Sequence, residues 1–140
     1  MTKPIAAALA AAIALAAPPA SAQSQRLDAA WEAALNERAL ELDDSQFAEL
    51  NVIAYHSAVA RLCDGFAVDV AKIAAATDAV VAGATEGLEA GPVMARQADI
   101  LIALGTAHGL FLAEGSLNHD AFCAAAAETR ADPEFAHYWE

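Results

Sequence analysis

Six side chains in this sequence are suited to chemistry near neutral pH: Cys63, Cys123, His56, His108, His119 and His137. The two cysteines form no Cys-x-x-Cys, so the motif for thiol exchange or covalent haem attachment is missing. Zinc sites draw on ligand pairs two to four residues apart, which this spacing does not offer. An even pair in an oxidising compartment is most simply a disulfide, and closing a loop of about 60 residues stabilises a fold by roughly 4 kcal/mol. A Cys63–Cys123 bridge is therefore expected.

His108 is the position with the most chemical interest. On a helix turning about 100° per residue it falls midway across an apolar face with Leu101, Leu104, Phe111 and Leu112. Gln97 lies on the same stripe three turns earlier, and Gly105 and Gly109 flank the ring without side chains of their own. One reading makes His108, Gln97, Gly105 and Gly109 a ligand pocket in which the imidazole serves as a metal, haem or acid–base group. The other makes His108 a core histidine beside a close helix crossing that the glycines permit. The small-residue composition of the chain favours the second.

The remaining histidines are weaker candidates. Glu49, His56 and Cys63 recur every seven residues and would line up on one helix side, a superficial metal pattern. Oxidation of Cys63 removes its strongest ligand, so neither a metal nor a cofactor is expected. His119, next to Asp120 and just after Asn118, reads as a solvent-facing first turn. His137 stands among Phe135, Tyr138 and Trp139, whose spacing suits docking of the chain end onto the body. No Gly-x-Ser-x-Gly elbow, His-Glu-x-x-His, phosphate loop or dinucleotide-binding glycine pattern occurs. Ser45, Ser57 and Ser116 have no base at a diagnostic spacing, so no catalytic residue is assigned.

The elements that must position these groups follow an export signal. Lys3, the small-apolar run from Ile5 to Ala17, Pro18-Pro19 and Ala20-Ser21-Ala22 form the three parts of a secretory signal peptide, with cleavage expected before Gln23. The run is too short to span the roughly 30 Å hydrocarbon core. Residues 1–22 are thus expected to leave, and residues 23–140 to form a single domain in a bacterial periplasm or outside the cell, with no membrane contact after cleavage. Residues 1–22 hold one lysine and no acidic residue, so the remainder carries −13 against −12 for the whole chain. That charge excludes an electrostatic grip on nucleic acid or anionic lipid.

Helical spacing recurs throughout residues 23–140 and strand alternation does not. Helices are expected at about Leu27–Leu42, Gln46–Cys63, Phe66–Ala84, Pro92–Glu114 and His119–Arg130. Asp43-Asp44-Ser45 supplies N-cap candidates, Asp64-Gly65 a left-handed end, Gly115 a stop and Asn118 a cap. The expected fold is all-α, a compact bundle of four to five helices with one disulfide.

The segments Ala60-Arg61-Leu62-Cys63-Asp64-Gly65-Phe66-Ala67-Val68-Asp69, Ala107-His108-Gly109-Leu110-Phe111 and Phe122-Cys123 resemble small exported helical proteins of alphaproteobacteria. That resemblance implies an exported helical domain and carries over no catalytic residue. Export, size and a cysteine pair are also similar in kind to periplasmic acid-stress chaperones. The function expected is non-enzymatic, by binding a protein or small-molecule partner or by structural interaction. An acid-responsive chaperone and a metal or cofactor binder centred on His108 stand as alternatives.

Overall fold

The computed structural model describes residues 26–34 and 42–140. The expected signal peptide, and the stretch 35–41 of the expected first helix, lie outside the described residues. Helix occurs at α1 (26–34), α2 (Asp44–Leu62), α3 (Val70–Thr85), α4 (Ala90–Leu117) and α5 (His119–Ala131), followed by a 3-10 turn at Ala136–Tyr138. The protein is an all-α bundle centred on α2, which touches α3, α4 and α5.

Local chemistry explains the boundaries. Asp43 caps α2 with a reciprocal pair: its carboxylate accepts the Gln46 backbone N–H at 2.8 Å, and Gln46 Oε1 accepts the Asp43 N–H at 3.2 Å. Two backbone donors that a helix start leaves unpaired are thereby satisfied. Leu42, expected inside the first helix, sits in a bend instead and packs on the core. At the far end of α2 the chain turns through Gly65, whose φ of +79° is costly for any residue with a Cβ.

α3 begins four residues later than its apolar pattern predicts. Asp69 accepts N–H bonds from Ala71 and Lys72 and starts the helix there. The preceding residues are drawn off to hold the chain end: Val68 bridges Trp139, Asp69 N–H donates to the Tyr138 carbonyl, and Glu140 N–H donates to the Ala67 carbonyl. Tertiary pairing has won over helical periodicity. Val70, the first residue of the shortened helix, is 73% exposed.

α4 differs in the opposite sense, running from Ala90 through Gly115 to Leu117. Pro92 is its third residue, within the first turn where no intrahelical N–H partner is lost. Gly115 does not stop the helix; it is buried where α2 and α5 meet it. A Cβ there would lie 2.5 Å from Leu62 Cδ1 and 2.9 Å from Phe122 Cδ1. Gly115→Ala is accordingly expected to destabilise by about 1–2 kcal/mol, overpacking exceeding the gain in helix propensity. Urea unfolding measures this, and a stabilised variant would contradict the packing described. Asn118 then separates α4 from α5 without a side-chain cap, only its carbonyl accepting the Phe122 N–H.

Two clusters make up the core. One joins α2, α3 and α4 through Leu50, Ile53, Ala54, Val80, Ile100, Ala103 and Ala107. The other joins α2, α5 and the chain end through Ala58, Val59, Cys63, Phe122, Ala126 and Trp139. Buried alanines on the facing sides let helix axes approach closely, which substitutes contact for side-chain bulk.

Candidate functional site

Cys63 and Cys123 are joined in a disulfide with 5.6 Å between their Cα atoms, tying the C-terminal end of α2 to the first turns of α5. Cys63 is buried and Cys123 half-buried. His119 takes part in this junction, which its position in the sequence did not foreshadow. Its Nε2 lies 3.0 Å from the Leu62 carbonyl and 3.8 Å from Cys123 Sγ, so it reaches across to α2 rather than standing free. The Leu62 carbonyl, and after it Asp120, raise its pKa above the ordinary 6.5.

His108 faces a groove of about 360 Å³ between α2, α3 and α4, lined by Ile53, Ala54, Ser57, Ile73, Leu101, Leu104, Gly105 and His108. Ile73 of α3 forms one wall of the groove while also packing against the core cluster that joins α2, α3 and α4. Ser57 donates its hydroxyl to the Ile53 carbonyl at 2.7 Å, and the Nε2 of His108 is closed from solvent with no hydrogen-bond partner. A buried imidazole nitrogen without a partner is a cost, and a turn of the ring toward a ligand's polar group in the groove would relieve it.

The expected grouping around His108 is only partly assembled. Gly105 lines the groove, whereas Gln97 and Gly109 are exposed and do not. The close helix crossing inferred at the two glycines is also overturned, since a Cβ on Gly105 or Gly109 would meet nothing within 4 Å. The close crossing sits at Gly115. Helical periodicity places residues on a face but cannot say how far away the neighbouring helix stands.

His56 is the deeply buried histidine, at 1% exposure. Its Nδ1 faces the Val52 carbonyl at 2.8 Å, which assigns the proton to Nδ1 and leaves Nε2 as an unpartnered acceptor. Around it stand the rings of Trp139, Tyr138, Tyr55 and Phe135, with centroids 4.6, 5.1, 5.7 and 6.0 Å away. Burial pushes its pKa below 6.5. Tyr138 donates its hydroxyl to Glu49, and burial together with that carboxylate raises the phenol above its ordinary range. Glu49, His56 and Cys63 are thus each engaged elsewhere, and among the described residues no three His, Cys, Asp or Glu side chains are grouped to hold a metal ion. Hydroxyls of Ser57 and Ser116 both donate to carbonyls one turn back in their own helices. Neither hydroxyl has a base as partner.

Comparison with known proteins leaves the chain on its own terms: no family model, curated protein or solved structure matches it.

Proposed function

We propose that this protein is a non-enzymatic, exported binding protein whose groove at His108 takes a small, predominantly apolar molecule carrying one hydrogen-bonding group. The observation that carries the reading is the groove itself, of a size common for ligand sites (about 300–1,000 Å³) and lined mainly by aliphatic side chains beside the His108 ring, whose Nε2 is buried without a partner. A disulfide is compatible with an oxidising compartment, and the leader at residues 1–22 supports the periplasm in particular. Titration with N-phenyl-1-naphthylamine, a neutral aromatic amine that fluoresces on leaving water, tests the groove. Binding is expected, weakened up to about tenfold by His108→Leu, which removes one hydrogen bond, and abolished by Ser57→Leu, which fills the floor. Failure of the folded protein to bind, or equal binding by Ser57→Leu, would sink the reading.

One observation favours a second reading, an acid-responsive chaperone. His56 is buried under the chain end, so protonation works directly against the docking of Tyr138 and Trp139. On that reading acid releases an aromatic surface. Suppression of a client protein's aggregation near pH 3, lost when the chain end is removed, is the expected result, and a fold that stays closed at that pH counts against it.

A further inference from the structure

A second groove, of about 300 Å³, opens where α2, α4 and α5 meet, and it shares no residue with the one at His108. Three aromatic rings line it. Tyr55 of α2 contacts both Phe111 of α4 and Phe122 of α5, with its centroid 5.4 Å from each. Phe122 is buried and the other two rings are half-buried. On α5 the lining continues in Ala121 and Ala125, one turn apart and exposed, and side chains this short keep the groove open.

Among the described residues this lining holds a single charged group, the carboxylate of Glu114. It stands three residues after Phe111 on the same face of α4 and is half-buried. Its charge reaches the ring of α2: burial, opposed by the Thr129 hydroxyl and reinforced by Glu114, raises the Tyr55 phenol above its ordinary pKa of 10.0. Drawing a carboxylate out of water among apolar rings is unfavourable unless a cation accompanies it. Among the described residues no lysine, arginine or histidine forms an ion pair with Glu114.

We propose that this groove binds a small quaternary ammonium ion, its charge beside Glu114 and its N-methyl groups against the rings of Tyr55, Phe111 and Phe122. Such an ion has no N–H, so walls of aromatic rings and alanine methyls leave none of its donors unpaired, while the π-electrons and the carboxylate both attract its charge. Other occupants suit the lining less. A neutral apolar molecule would bury Glu114 further without a counter-charge. An anion would meet that carboxylate on a chain whose net charge is already −12. A metal ion would find one carboxylate and no other His, Cys, Asp or Glu in the lining.

Titration of the purified protein with choline chloride, followed by NMR, tests this. A dissociation constant on the order of 1 mM is expected for one partly solvated charge pair with ring contacts. Saturating the aromatic protons is expected to attenuate the choline methyl signal, which reads the contact of methyls with rings directly. Dimethylbutanol, the uncharged analogue with carbon in place of the nitrogen, is expected to bind at least about tenfold more weakly, as is choline to Glu114→Gln. Ala121→Leu fills the groove from the exposed side of α5 and is expected to abolish binding with an unchanged helical circular dichroism spectrum. No binding up to about 20 mM choline overturns the proposal, as does equal binding of the uncharged analogue or unaltered binding by either variant. Phosphocholine is expected to bind more weakly than choline, because its phosphate meets an acidic surface. Tighter binding of phosphocholine would assign the groove to a lipid headgroup and overturn its assignment to a free cation.

Discussion

Replacing both cysteines, Cys63→Ala with Cys123→Ala, is expected to lower the unfolding free energy by about 4 kcal/mol, a large share of the stability of a small domain. The chain-entropy argument supplies most of that figure: the bridge closes a 60-residue loop and so removes conformations from the unfolded ensemble. The structure adds a reason why other contacts do not replace it. The α2–α5 junction rests on Ala58, Ala126, Val59 and Phe122 beside the bridge, and the alanines bury little apolar area to compensate. Urea unfolding with and without a reductant measures the same difference on the unaltered sequence. A loss below about 1 kcal/mol would mean that the junction is held by its packing instead.

Trp139→Ala is the second large effect, expected to cost about 3–5 kcal/mol for a buried aromatic side chain. It also changes the response to pH. Burial lowers the pKa of His56 in the folded protein, so the unfolded chain takes up that proton first. The associated stability is fully present above pH 6.5 and is lost as pH falls through the folded-state value. Glu49 and His137 face the same ring, the carboxylate favouring the charged form and the second imidazole opposing it. Without the indole, Nε2 of His56 opens to solvent and titrates nearer 6.5, so the decline between about pH 7 and pH 5 becomes shallower. His119 acts with the opposite sign, its raised pKa giving stability below pH 6.5 that is lost as pH rises through the folded value. It is solvent-exposed and screened, and a His119→Asn background separates the two contributions. Asp69, whose pKa its own helix start lowers, loses its contribution only below 3.8 and leaves this window untouched. Histidine titration by NMR together with urea melts at the two pH values checks the prediction. Identical pH dependence in Trp139→Ala and the parent would refute it.

Helix identity, the cysteine pair and the docking of the aromatic chain end are legible in the sequence alone, because each depends on local pattern or on simple counting. Asp43-Asp44-Ser45 announces the start of α2 as a run of N-cap candidates, and the structure selects Asp43 among them through its pairing with Gln46. Misjudged positions share one cause, which is that a distant segment outweighed the local signal. Phe66 to Val68 have helical spacing but are recruited to pair with the chain end. Gly115 looks like a stop and is instead the point where α4 makes room for Leu62 and Phe122.

The histidines divide in the same way. By itself the sequence determined that His108 shares a face with Leu104 and Phe111, and that Tyr138 and Trp139 form an apolar chain end. Only the tertiary structure decided that His56 lies under that end, that His119 crosses to Leu62, and that His108 meets a groove while Gly105 and Gly109 have no neighbour. Periodicity is a property of one helix, set by backbone hydrogen bonds a turn apart. Burial and open space depend on where the next helix is held, here by alanine contacts and a disulfide that joins residues far apart in the chain.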